Sequence, residues 1–384
     1  MKPFAIALQL IISTVVLAKK NLIIDTDLFS DVDDAGALLI ATTSPSVNLL
    51  AVNINYPSSY SALAASAILA HYGKTHVPIG IPRPLTNTTF FDSWYFTLGE
   101  YTSKVAYHFS GGSLPWGRAE DARDPVALYR KVLAEADDGS VTIVSIGFLD
   151  NLSALLNSTA DAHSPLPGRT LLARKLSELV IMGGSYPFTN STGNSSTGSW
   201  NFVGSDPALA AHVVNDLADR SSWPPRVRVV YVGDDVGARV LTGGPLMAAA
   251  TAAPGSQVKI KDRDPVGMAY AWYGYYTPRP SWDPLAVVYA IHGLEGPEEG
   301  GENGLFEFGN HRGYNSVDGR DGTNRWVWDE GVGNQFFLRL KVADERAAEV
   351  VDDLFMKGAF GTVGREGKQR RETRGCKLCG HEEL

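Results

Sequence analysis

Short apolar runs rich in β-branched residues recur along the chain, and stretches of helical period separate them. Residues 21–25, 48–55, 141–146, 179–182 and 226–232 each read as a strand, and residues 35–41, 61–72 and 151–156 as helices. Continuous apolar strands are those covered on both faces, and the intervening helices supply the crossovers that parallel pairing requires. The pattern predicts an α/β fold: a single domain with a mainly parallel central sheet flanked by helices. In such folds ligands sit beyond the C-terminal ends of the strands. The polar residues of this chain accumulate there.

No linker divides the 384 residues and no repeat is visible. Residues 1–18 form an apolar run behind a single Lys and end on Val16-Leu17-Ala18, the pattern of a cleaved signal peptide. The predicted domain covers residues 19–359. Within it residues 300–335 are Gly-rich and read as an elaborated loop region, before a strand at 336–342 and a helix at 344–356. Residues 360–384 form a C-terminal tail.

Five Asn-x-Ser/Thr sequons, at Asn87, Asn151, Asn157, Asn190 and Asn194, agree with a secretory route. Asn151 opens a helix and is expected to carry no glycan. The tail holds one Cys pair, Cys376 and Cys379, and ends in His-Glu-Glu-Leu, close to a retrieval signal of the endoplasmic reticulum. An extracellular destination is expected, with retention in that lumen as the alternative. The net charge of −8 without a basic run disfavours a nucleic-acid partner. After signal cleavage nothing indicates a membrane partner.

Chemistry concentrates in IIDTDLFSDVDDAGAL. Asp25, Asp27, Asp31, Asp33 and Asp34 fall within ten residues, at the end of a strand and the start of a helix. One Asp suffices for a helix cap. Five repel one another unless a cation relieves them. Oxygen-only ligands favour a hard ion, Ca²⁺ or Mg²⁺. An EF-hand is excluded because the loop lacks its Gly and terminal Glu.

With its order along the chain, this segment resembles the inosine-uridine preferring nucleoside hydrolase family. That family opens with a strand and DxDPGxDDAxAL; here stand Asp25-Thr26-Asp27, then Asp33-Asp34-Ala35 and Leu38, with two residues inserted between. Residues 141–151 (VTIVSIGFLDN) are similar to its strand ending in TGPLTN, and residues 179–184 to its VxMGG strand. Trp200-Asn201-Phe202 with Asp206-Pro207 is similar to EFN…DPEAA, and Trp282-Asp283-Pro284-Leu285-Ala286 to HDPLA.

The resemblance implies a Rossmann-like fold and Ca²⁺-dependent hydrolysis of the N-glycosidic bond of ribonucleosides. It implies Ca²⁺ held by Asp27, Asp34, the carbonyl of Ile146 and Asp283, with Asp27 as general base. Asp33 and Asn201 would hold ribose hydroxyls, with Asn190 (or Asn194) and Asn55 (or Asn53) as further candidates, and Met182 would line the pocket under the sugar. It also implies a nucleoside as the small-molecule partner and allows a homo-oligomer.

Two positions depart from the family. Ser199 stands where its Glu grips the 5′-hydroxyl, and Trp282 stands where its His precedes Asp-Pro. A Trp there resembles the purine-preferring branch, in which aromatic rings stack on the base; Phe90, Phe91, Trp94 and Trp200 are further candidates for that surface. His108 is a remote candidate for a replacement acid.

Two rivals remain. A phosphatase of the haloacid dehalogenase type also uses DxD after a strand. It needs a hydroxyl residue where Phe29 stands, and its phosphate would lie among carboxylates with no Arg or Lys expected nearby. The other rival is a secreted Ca²⁺-dependent binder of ribose or nucleosides that has lost turnover with the Glu and His.

Overall fold

Alternation of period two sends neighbouring residues of each central strand to opposite faces. In β1 (Lys20–Thr26), Leu22 and Ile24 enter one core and Ile23 the other. In the computed structural model, residues 19–90, 99–186, 198–219, 223–252, 259–297 and 304–361 are described. After β1 come α1 (Asp33–Thr43), β2 (Val47–Ile54), α2 (Ser59–His71) and the two-residue β3 (Ile79–Gly80). Helices α3 (Thr102–His108) and α4 (Pro125–Glu135) lead to β4 (Val141–Ser145), and α5 (Asp150–Leu156) and α6 (Gly168–Lys175) to β5 (Leu176–Met182). Next are α7 (Trp200–Val203), α8 (Pro207–Asp216), β6 (Arg228–Val232), α9 (Asp234–Gly237), β7 (Leu241–Thr242) and α10 (Gly244–Thr251). Then follow α11 (Pro265–Gly274), β8 (Arg279–Pro280), α12 (Trp282–His292), β9 (Phe306–Phe308), β10 (Tyr314–Val317), β11 (Asn324–Val327), β12 (Gln335–Leu340) and α13 (Asp344–Phe360).

The main sheet runs β3-β2-β1-β4-β5-β6-β12-β9, parallel except for the edge strand β9. This is the predicted fold class. In β5, Val180 and Met182 join the first core and Leu179 and Ile181 the second; Val230 and Val232 of β6 part from Val229 and Tyr231 in the same way. The first core is covered by α1, α2 and α10 to α13, the second by α4, α5, α6 and α8. Each fully buried Leu or Ile contributes about 1.5–3 kcal/mol. Strand order reverses between β1 and β4, and the crevice at that switch point is where α/β folds bind ligands.

Three Asp-Pro pairs start helices in one way. Asp124 caps α4 through Ala127 N at 2.9 Å, Asp206 caps α8 through Ala208 N at 2.9 Å, and Asp264 caps α11 through Gly267 N at 2.7 Å. The Asp supplies an acceptor for an orphan amide and the Pro needs no donor partner, a device of about 0.5–2 kcal/mol per cap. The fourth pair, Asp283-Pro284, differs. It lies inside α12, whose N-cap is Ser281, and its carboxylate is free to serve the crevice.

The expectation for residues 300–335 is corrected: the described part holds three strands. β9 pairs antiparallel with β12, and β10 and β11 form a hairpin. Strands of three or four residues show too little periodicity to be read. Side-chain amides help to hold them: Asn310 Oδ1 accepts from Phe337 N at 2.9 Å and Gln335 Oε1 from Asn315 N at 3.3 Å. Among the described residues no helix is long and apolar enough to cross a membrane.

Candidate active site: a buried carboxylate cup

Asp27 follows β1, Ile146 follows β4, and the two segments meet at the switch point. Gly147 allows the approach, because a Cβ there would lie 2.3 Å from Asp27 N and 2.8 Å from Asn55 Nδ2. The first turn of α1 carries Asp33 and Asp34 into the same crevice, and α12 brings Asp283. Carboxylate oxygens of Asp33, Asp34 and Asp283 all lie within 4.8 Å of one another, and all three side chains are buried.

Asp33 Oδ2 accepts from the main-chain N–H of Trp282 at 3.0 Å and of Asp283 at 3.1 Å. Those bonds tie α1 to α12. Asp34 accepts from the Thr26 hydroxyl. Asp27 Oδ2 accepts from Ser30 Oγ at 2.8 Å.

Burial pushes Asp33, Asp34 and Asp283 well above the usual carboxylate range, and the neighbouring carboxylates push further in the same direction. Burial likewise raises Asp27 to about 6, against the lowering effect of Ser30. Four buried carboxyls whose charged forms are this disfavoured fit a hard dication. Its charge would replace the water they have lost.

Two of the five clustered Asp do not join the cup, which corrects the reading of one five-carboxylate site. Asp31 is paired with Arg279 of β8, whose Nε lies 2.9 and 3.0 Å from its two oxygens. A cation therefore does stand beside the cluster, contrary to expectation. Asp25 has the parity of Ile23 and faces α4, where it accepts from Tyr129 Oη at 2.6 Å, Asn55 Nδ2 at 2.7 Å and Asn151 Nδ2 at 3.3 Å. Burial nevertheless raises Asp25 to about 7.

The Ile146 carbonyl accepts from Asn201 Nδ2 at 3.2 Å, and the same amide reaches Met182 O at 3.2 Å and Met182 Sδ at 3.1 Å. Asn201 is thus fixed under the crevice, with Oδ1 as its remaining pole. Asn55 donates to Asp25 and to Phe148 O at 2.8 Å, and its Oδ1 is buried without a partner. Asn53 faces α4 instead, 3.4 Å from Pro125 O.

Trp282 is half-buried. Its indole N–H donates to Asp234 O at 2.8 Å, and Arg279 lies 5.7 Å from its ring centroid. Gly237 is required beside it, since a Cβ there would meet Trp282 Cα at 2.6 Å. Trp200 is 47% exposed, with its ring 6.0 Å from Phe148. His108, the last residue of α3, packs against Tyr107 and against Trp272 of α11, with no hydrogen bond to the cup. Asn190, Asn194, Phe91 and Trp94 lie outside the described residues, as do residues 1–18 and the tail Cys pair.

Sequence reasoning missed Tyr56 and Asp234 here. Phe29 stacks on Tyr56 with centroids 3.9 Å apart, and Phe90 lies 5.8 Å from Phe29, so three rings cluster just past the ends of β1 and β2. Ser199, where a family carboxylate was absent, donates to Asp234 Oδ1 at 2.7 Å. The signal for Asp234 was its place directly after a predicted strand.

The model of the inosine-uridine preferring nucleoside hydrolase family matches residues 22–354. Probable uridine nucleosidase 2 of Arabidopsis thaliana is 24% identical over 205 residues, which span 52% of this chain and 58% of that protein. The inosine-uridine preferring nucleoside hydrolase of Crithidia fasciculata is 26% identical over 287 residues, 71% of this chain and 79% of that protein. A solved plant nucleoside hydrolase superposes with a TM-score of 0.58 at 20% identity, covering 88% of this chain and 98% of its own, a likeness of fold.

Proposed function

The chain belongs to the inosine-uridine preferring nucleoside hydrolase family, and from that premise we propose that its carboxylate cup hydrolyses the N-glycosidic bond of ribonucleosides in the presence of Ca²⁺, with purine nucleosides favoured. The observation that carries this reading is the gathering of Asp33, Asp34 and Asp283 at the β1–β4 switch point, with Asp27 near enough for its charge to raise Asp34 and Asp283.

Asp27, Asp34, Asp283 and the Ile146 carbonyl would hold the ion. A bound Ca²⁺ would supply a positive charge that orients the sugar diol and makes a neighbouring water more acidic. The residues of the chain do the rest. Asp33 and Asn201 Oδ1 accept hydrogen bonds from the sugar hydroxyls. Asp27, whose charged form a bound cation would favour, takes the proton of the attacking water. As the water oxygen bonds to C1′, the C1′–N bond breaks and its electron pair leaves with the base. Positive charge grows on the sugar meanwhile, and the carboxylates around it lower its energy. Tyr56 and Phe90, both half-buried and packed on Phe29, are the rings available to stack on a base, in keeping with a preference for purines.

Incubation with inosine, adenosine, guanosine and uridine, followed by assay of free ribose, tests the reading. We expect ribose from the purine nucleosides faster than from uridine, and none once Ca²⁺ is chelated. Binding without ribose would instead support the non-catalytic binder.

Metal binding should also release protons. The apo carboxyls are held above their usual range, and a cation favours their charged forms. Calorimetric titration with Ca²⁺ at pH 6, in two buffers of different ionisation enthalpy, should show net proton release, and affinity should fall as pH is lowered. Heats independent of the buffer would contradict the ligand set.

The same reading includes entry into the secretory route. Asn87 and Asn157 are exposed and available to a glycan. Asn151 is buried, with its amide donated to Ile54 O at 3.0 Å.

A further inference from the structure

The cup occupies one side of a sugar. With the diol at Asp33 and Asn201, the two remaining substituents, the base and the exocyclic hydroxymethyl group, extend toward the rim. The rim has two chemically different halves. Beyond β1 and β2, on one flank of the β1–β4 crevice, Phe29 and Tyr56 stack ring on ring. Beyond β6, on the opposite flank, stands Asp234. A flat base suits the first and a hydroxyl suits the second.

Asp234 is fastened to both sides of the cup. Its Oδ1 accepts from Ser199 Oγ at 2.7 Å, and Ser199 leads into Trp200 and Asn201. Its main-chain oxygen accepts the Trp282 indole N–H at 2.8 Å, and Trp282 leads into Asp283. Its own N–H donates to Gly184 O at 2.8 Å. Among the described residues no cationic side chain pairs with it and nothing donates to Oδ2. A half-buried carboxylate oriented by a single hydroxyl lacks the donors that usually stabilise such a group.

We propose that Asp234, oriented by Ser199, accepts a hydrogen bond from the 5′-hydroxyl of the ribonucleoside and so is a substrate-binding residue of this enzyme. This rests on the ribonucleoside reading above. Sequence comparison alone would report a lost carboxylate at Ser199. The structure supplies a carboxylate from another strand end, one hydroxyl away.

The test compares adenosine with 5′-deoxyadenosine as substrates of the unaltered chain, Asp234→Ala and Ser199→Ala. The unaltered chain should favour adenosine. Asp234→Ala should lose about 10- to 100-fold in kcat/KM on adenosine, the scale of one charge-assisted hydrogen bond, and change by less than about twofold on the deoxy analogue. Ser199→Ala should show the same selectivity with a smaller loss, and carries the comparison should Asp234→Ala fail to fold. Equal losses on both substrates would overturn the assignment while leaving the hydrolase reading intact. Absence of turnover by the unaltered chain on any ribonucleoside would overturn both.

Discussion

Asp27→Ala should lower kcat by about a thousandfold, the usual scale of a positioned general base, and leave a folded protein. Asp27 is the cup carboxylate whose pKa is raised only to about 6, and Ser30 and the start of the α1 loop fix its direction. In the proposed mechanism it takes the proton of the attacking water. Asp27→Asn keeps the shape and removes the base, so it should lose a similar factor in kcat with KM changed much less. Steady-state kinetics with a purine nucleoside reads both values. Turnover unchanged in either variant would remove Asp27 from the mechanism.

Asp283→Asn should have opposite effects on stability with and without calcium. In the calcium-free protein Asp283 is raised first by burial and then by Asp33, Asp34 and Asp27, so its charged form is opposed from several sides. A carboxyl whose pKa is higher folded than unfolded binds protons more tightly in the native state. Its contribution therefore becomes less favourable as pH rises above the unfolded value of about 4. Replacing it by a neutral amide should raise the thermal midpoint of the calcium-free protein, more at pH 7.5 than at pH 5. Each kcal/mol relieved corresponds to about 2–4 °C in a domain of moderate size. Saturating calcium should stabilise the unaltered protein by about 4 kcal/mol at a thousandfold excess over Kd. It should leave Asp283→Asn unmoved. Thermal melts in calcium and in chelator give all four values, and a calcium shift preserved in the variant would exclude Asp283 as a ligand.

Much of this site was legible because its residues sit at the ends of strands that announce themselves. β1 and β4 are built around short apolar, β-branched centres, and the Asp after one and the Ile after the other fall at the switch point. Asp283 was readable only through family resemblance. By local pattern, Asp283-Pro284 is indistinguishable from the Asp-Pro pairs at 124, 206 and 264, which cap helices.

What stayed hidden depends on partners remote in sequence. Asp25 looks identical to Asp27, yet Asp25 is still inside β1 and reaches Tyr129, 104 residues away, whereas Asp27 lies past the strand end at Thr26, where the alternation no longer holds. Asp31 looks like a cup member until Arg279 arrives from β8, 248 residues on. Ser199 reads as a loss because its meaning lies in Asp234. The hairpin β10–β11 escaped for the reverse reason: its four-residue strands are fixed by pairing and by buried amides, with little pattern of their own.

The most direct measurement is isotopic. A purine nucleoside is turned over in ¹⁸O-labelled water with Ca²⁺ present, and the sugar product is examined by mass spectrometry. A hydrolase acting through this cup should deliver free base and ribose carrying one labelled oxygen at C1′, with formation stopped by chelation and by Asp27→Ala. Nucleoside bound at the cup with no labelled ribose formed would contradict the hydrolytic assignment and leave a calcium-dependent nucleoside binder.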